Sequence, residues 1–158
     1  MKQKEVVMKI RMQQIVSGED EILIKYKKMT PEIKKLVERL SENEIIIVGK
    51  KEGRQYRILP KDIYYFESVD EKLFAYTSTA EYQVLYTLGE VEEKLSSEGF
   101  FRCNKSFVVN INHIVSVKSE MGNRIDALMD NEEHVIISRR YAKTFREMLR
   151  KEEKNEQS

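Results

Sequence analysis

From Ile45 onward the chain consists of short runs rich in β-branched and aromatic residues, and this texture limits the fold more than any other feature. EIIIVGK, RQYRIL, IYYFESV, LFAYTS and EYQVLY follow one another, with turn-like breaks at KEG, PKD, DEK and TA. Such spacing predicts consecutive antiparallel strands. TLGEVEEKLSSEG then sets Leu88, Val91, Glu92 and Leu95 at helical spacing before Gly99, which predicts one short helix. Strand texture resumes in SFVVNI, IVSVKS, RIDALM and HVIIS, with EMGN and DNEE as hairpin turns. The last element, SRRYAKTFREMLRK, reads as a helix with Ser138 at its N-cap and Tyr141, Phe145, Met148 and Leu149 on one face. The expected class is mainly β with short helices (α+β).

The residues before Ile45 have a different texture. Met8, Ile10 and Met12 alternate with polar residues, SGED supplies a turn, and Ile22, Ile24 and Tyr26 alternate again, which predicts a β-hairpin. TPEIKKLVERL predicts a helix with Thr30 as N-cap, Pro31 at the first position, and Ile33, Leu36, Val37 and Leu40 on one face. Residues 1–44 are therefore expected to form a hairpin-plus-helix extension too small to fold alone, serving dimerisation or regulation. Residues 45–150 form the main domain, and residues 151–158 a polar, frayed tail.

Composition narrows the functional classes. The 158 residues allow one ordinary domain and an appendage, and 28 basic against 27 acidic residues announce no nucleic-acid or membrane partner by bulk charge. Any such signal has to be local. No apolar window is long enough to cross a membrane and no signal peptide is evident, so a soluble cytoplasmic protein is expected. Cys103 stands alone, and with His113 and His134 it lacks any compact metal-ligand spacing. G-x-S-x-G, P-loop and G-x-G-x-x-G motifs are absent, and Glu67, Asp70 and Glu71 read as a solvated turn. No enzyme, cofactor or metal site is expected.

The local signal lies in where the cations fall. Lys72 follows the VDE turn, Arg102, Asn104 and Lys105 interrupt the strand-like FFRCNKSFVVNINHI, and Arg139, Arg140 and Lys143 open the last helix. Cations in a first helical turn oppose the helix dipole, yet suit a site where an anion such as phosphate meets free backbone N–H groups. Amides and cations on rigid strand ends can read base edges and hold phosphates. On composition alone, a chain with 35% charged residues would also scatter such cations over its loops by chance.

LPKDIYYFES, FFRCNKSFVVNINHIVSV and VIISRRYAKTFREML occur in that order, and the segment from about Ile46 to Leu149 resembles a LytTR domain. This is the mostly-β DNA-binding module of many bacterial transcription regulators. The resemblance implies an elongated stack of antiparallel β-sheets whose strand-end loops enter successive major grooves. By position, Lys105 corresponds to a base-reading residue, Arg140 to the reading arginine of S-R-R-Y, and the VDEK loop, through Lys72, to a further contact loop. Asn104 replaces a histidine common in the family, and Asp70 and Glu71 are unfavourable neighbours for phosphate. The implied DNA-contacting set is Lys72, Arg102, Asn104, Lys105, Ser138, Arg139, Arg140 and Lys143. The implied partners are double-stranded DNA with paired direct repeats, a second copy of the chain at least on DNA, and a small membrane-protein regulator encoded nearby. The forty-odd residues ahead of the module are too few for a receiver domain, so the chain is similar to stand-alone regulators of this type. The competing readings are a protein-interaction module with incidental basic loops and an enzyme acting on nucleic acid, which would need a metal or acid/base pair that the sequence does not offer.

Overall fold

A computed structural model describes residues 8–40 and 45–156. In chain order the elements are α1 (Pro31–Leu40), β1 (Ile47–Lys51), β2 (Arg54–Ile58), β3 (Ile63–Val69), β4 (Lys72–Thr77), β5 (Glu81–Val84), α2 (Leu88–Lys94), β6 (Phe100–Arg102), β7 (Phe107–Asn110), β8 (Ile114–Glu120), β9 (Arg124–Met129), β10 (His134–Ile137) and α3 (Arg139–Glu156). The fold is mainly β with short helices, as the run spacing predicts. β1 to β7 form a seven-stranded antiparallel sheet in the order β2-β1-β5-β4-β3-β7-β6, and β8 to β10 form a three-stranded meander.

Alternation along the strands builds a layered molecule with a core on each face of the larger sheet. Ile63, Phe66, Leu73, Ala75, Val84 and Val108 face α2, whose Leu88, Val91 and Leu95 close the first core. Val109, one residue on from Val108, points the opposite way into a second core with Ile125, Ala127 and Met129 of β9, Val135 and Ile137 of β10, and Ala142 and Phe145 of α3. α2 starts cleanly because Thr87 and Glu90 form a reciprocal capping box, each side chain accepting from the other's backbone N–H. Cys103 is fully buried in the second core, where desolvation pushes its thiol up to about 12 and keeps it neutral.

One buried amide braces the larger sheet, and one histidine links it to the smaller. Asn110, 1% exposed, donates from Nδ2 to the Ile63 carbonyl at 3.0 Å and accepts from Asn112 N–H at 3.1 Å. His113 stacks on Tyr64 with ring centroids 4.1 Å apart. Its Nε2 meets the Lys61 carbonyl and its Nδ1 lies 2.8 Å from Asp130 Oδ2, which holds that carboxyl below its ordinary range. Nothing in the alternation of the sequence marks either residue as a joint.

Gly49 is required by close approach. A Cβ there would lie 2.6 Å from Tyr82 Cβ and 2.8 Å from Ile58 Cδ1, so β1 could not keep its place between β2 and β5. Gly49→Ala is therefore expected to destabilise the domain by about 1–3 kcal/mol, the usual cost of overpacking. Urea unfolding checks this, and an unchanged midpoint would show that the sheet accommodates the methyl group.

The amino-terminal segment departs from expectation in one respect. α1 forms over the expected residues, with Ile33 N–H donating to Thr30 Oγ1 at 3.3 Å. The predicted hairpin does not form: residues 8–29 contain no strand. The alternation is present in the sequence, but a lone two-stranded ribbon is marginal in water without a third strand or a helix to cover its apolar face. Ile10, Met12 and Val16 are correspondingly 89%, 94% and 100% exposed. At the other end, the polar tail does not fray at residue 151, because α3 runs to Glu156 through good helix formers. Residues 1–7 and 41–44 of the expected extension, and residues 157 and 158 of the expected tail, lie outside the described residues.

Candidate nucleic-acid interface

Hydrogen bonds bring three segments far apart in sequence to one end of the molecule. β3 pairs with β7 through Glu67 and Phe107, and just beyond that register Ser68 N–H donates to the Ser106 carbonyl at 2.8 Å. The β3–β4 turn therefore stands beside the loop of residues 103–106. Ser138 N–H donates to the Cys103 carbonyl at 2.8 Å, which sets the start of α3 against the same loop. Lys72, Lys105 and the first turn of α3 thus share one rim.

Each segment is held rigidly. Asp70 and Glu71 join β3 to β4 as a two-residue loop with φ of 50° and 63°, the left-handed backbone that a type I′ hairpin turn demands at both central positions. The acidic pair therefore has a conformational role, which Asp fills better than Glu. Glu71→Gly should relieve this strain, stabilise the fold by about 0.4–1 kcal/mol, and remove a carboxylate from the rim. Thermal unfolding checks the first effect, and a lowered melting temperature would contradict it.

In the loop of residues 103–106, side chains are tied back to the protein. Arg102 donates from Nε to the Asn104 carbonyl and from Nη2 to the Lys105 carbonyl, both at 2.8 Å, and its Nη1 lies 3.7 Å from Glu92. Asn104 donates from Nδ2 to the Ile136 carbonyl of β10 at 3.0 Å and accepts at Oδ1 from Ser106 N–H at 2.9 Å. Lys105 itself is exposed.

At the start of α3, the Ser138 carbonyl accepts from Tyr141 and Ala142 N–H groups at 2.9 and 3.0 Å. Arg139, Arg140 and Lys143 are exposed, and no acidic residue occupies the first turn. The Arg140 guanidinium lies 5.6 Å from the ring centroid of Tyr141, a contact that steadies it without neutralising it. Among the described residues, Lys72, Lys105, Arg139, Arg140 and Lys143 are in no salt bridge. Of the eight residues singled out in the sequence, Arg102 and Asn104 differ from the other six in turning side-chain donors onto carbonyls of the protein itself. Sequence inspection did not find Ser106, whose backbone joins the turn to the loop. Its contacts use main-chain atoms and leave no residue-type signal.

Elsewhere, a half-open cleft of about 310 Å³ lies between Tyr56, Arg57, Lys61, Tyr64 and Thr77–Thr79. No group of three or more His, Cys, Asp or Glu residues is placed to hold a metal among the described residues. No helix among them is long and apolar enough to cross a membrane.

Comparison with known proteins identifies the family and the fold. The family model of the LytTr DNA-binding domain matches residues 53–150. The chain is 34% identical over 110 residues to the transcriptional regulatory protein YpdB of Escherichia coli K12, covering 68% of this chain and 44% of that protein. It is 31% identical over 141 residues to the sensory transduction protein LytT of Bacillus anthracis, covering 89% of this chain and 50% of that one. The chain thus spans half or less of the length of these relatives. A solved LytTr DNA-binding domain from Bacillus cereus superposes with a TM-score of 0.63 at 30% identity, covering 66% of this chain and 95% of that structure. With the family model matching well over half of the chain and a solved member sharing its fold, the protein belongs to the LytTR DNA-binding domain family.

Proposed function

We propose that the protein is a transcriptional regulator that binds specific duplex DNA with the rim formed by the β3–β4 turn, the loop of residues 103–106 and the start of α3. The observation that carries this reading is the convergence of three rigid segments on one end, each bearing cations with no carboxylate partner. Strand-end loops of this kind fit successive major grooves. Lys105 and Arg140 read base edges there, and Lys72, Ser138, Arg139 and Lys143 hold phosphates. A near-neutral chain can do this because affinity depends on local cations displacing counterions, not on net charge.

The extension of residues 1–44 supports a second part of the reading. Ile22 and Leu23 are each 72% exposed, and Leu36, Val37 and Leu40 of α1 stay partly exposed, so this segment carries apolar surface that the domain leaves uncovered. Its occupant is a second copy of the chain, so that two modules bind paired direct repeats in the cytoplasm. A small membrane-protein regulator is the alternative occupant.

Selection from a random duplex pool, followed by affinity measurement against salt, tests the main reading. One enriched motif and a steep fall of affinity with salt are expected. Enrichment of no motif would favour the protein-interaction reading. In the same assay, Lys105→Ala should lower specific affinity by about 1–3 kcal/mol with little change in salt slope if it reads a base. A slope reduced by about one unit would assign it to a phosphate instead.

A further inference from the structure

The rim contains two groups that look like DNA contacts but turn hydrogen-bonding atoms onto the protein itself. A side-chain amide offers two N–H donors and one carbonyl acceptor. Asn104 spends Nδ2 on the Ile136 carbonyl and Oδ1 on Ser106 N–H, and Nδ2 also lies 3.8 Å from Cys103 Sγ. The Ile136 bond joins different layers, because Asn104 belongs to the loop leading into the seven-stranded sheet and Ile136 to the three-stranded one, while the Ser106 bond closes the loop's own turn. Arg102 completes the arrangement, its guanidinium gripping the carbonyls of Asn104 and Lys105 and so fixing the peptide groups on both sides of Lys105. Ile136 is two residues before Ser138, whose N–H bonds Cys103 in return. The loop and the start of α3 are therefore tied by a pair of hydrogen bonds, one through the Asn104 side chain and one through the backbone.

We propose that Asn104, aided by Arg102, is a positioning residue: it locks the loop bearing Lys105 to the β10–α3 junction bearing Arg140, so that both cations meet DNA as one preformed unit. This rests on the reading above that Lys105 and Arg140 contact DNA. Without the lock each cation would have to be ordered separately on binding. Directionality sets the chemistry. Asp at position 104 keeps the acceptor for Ser106 N–H but turns a carboxylate oxygen towards the Ile136 carbonyl, so it should break the bridge while preserving the loop's own turn.

The experiment has one arm without DNA and one with it, both on the full chain. In hydrogen exchange, Asn104→Ala and Asn104→Asp should both speed exchange of the Ser138 amide, which bonds the Cys103 carbonyl across the same junction, by about tenfold or more, while Asn104→Asp should leave the Ser106 amide of the loop's own turn protected. Unchanged Ser138 exchange in both variants would overturn the lock whether or not the protein binds DNA. In DNA binding, both variants should weaken specific affinity by about tenfold in the otherwise natural protein. The same changes should have no effect when Lys105 and Arg140 have already been replaced by Ala, because there is then nothing left to position. An equal loss in both backgrounds would mean that Asn104 touches DNA itself, and would overturn the proposal. If the parent chain selects no DNA motif while the exchange result holds, the DNA-binding reading has failed and the lock has not.

Discussion

Phe145→Ala is expected to destabilise the domain by about 3–5 kcal/mol, the usual cost of emptying a buried aromatic site that cannot collapse. Phe145 is fully buried in the second core, its ring 5.8 Å from that of Phe101 on β6. It fastens α3 to both sheets, and it lies five and six residues beyond the two arginines at the start of that helix. The melting temperature should fall by more than about 10 °C for a domain of this size. DNA affinity should fall too, even where the sheets remain folded, because the first turn of α3 loses its anchor. Circular dichroism at far-ultraviolet wavelengths checks the first effect, and a shift below about 2 °C would mean that α3 is not docked through this ring. Arg140→Ala should behave in the opposite way, sparing stability and losing recognition, since its side chain is exposed.

Removal of residues 1–44 is expected to leave a folded, monomeric module that binds a single half-site but loses about 100-fold in affinity for a paired site. Folding should survive because both core clusters are built from Ile45 onward. The loss follows from effective concentration: two linked modules bind the second half-site as an intramolecular event, with no new contact needed. Leu36→Asp in the full chain should mimic the truncation, because it places a charge within the apolar stripe of α1, where Leu36 is 38% exposed. Light scattering and paired-site binding check both variants. A full-length protein that is monomeric at tens of micromolar, with paired-site binding unaffected by truncation, would leave the apolar surface to a regulatory partner.

The sheet strands were legible because each run alternates or packs β-branched and aromatic residues and ends at a turn residue. α1 was legible because Thr30 and Pro31 are start signals whose physics is local. The amino-terminal hairpin was misread for a corresponding reason. Alternation reports which residues could share a face, not whether anything lies against that face, and residues 8–29 have no such partner. At the rim, the positions of the cations could be read from sequence because they lie at strand ends and a helix start. The difference between Lys105, which is free, and Arg102 and Asn104, which are engaged, could not. It depends on carbonyl groups of Ile136, Asn104 and Lys105, and every residue has a carbonyl.

The central claim is that Arg140 reads a base from the rim at which the three segments converge. Repeating the random-duplex selection with Arg140→Ala tests it most directly. If the guanidinium makes a bidentate contact to a guanine, preference should relax at one base position, with about 1–3 kcal/mol of discrimination lost there and the rest of the motif retained. An unchanged motif selected by Arg140→Ala would contradict the account.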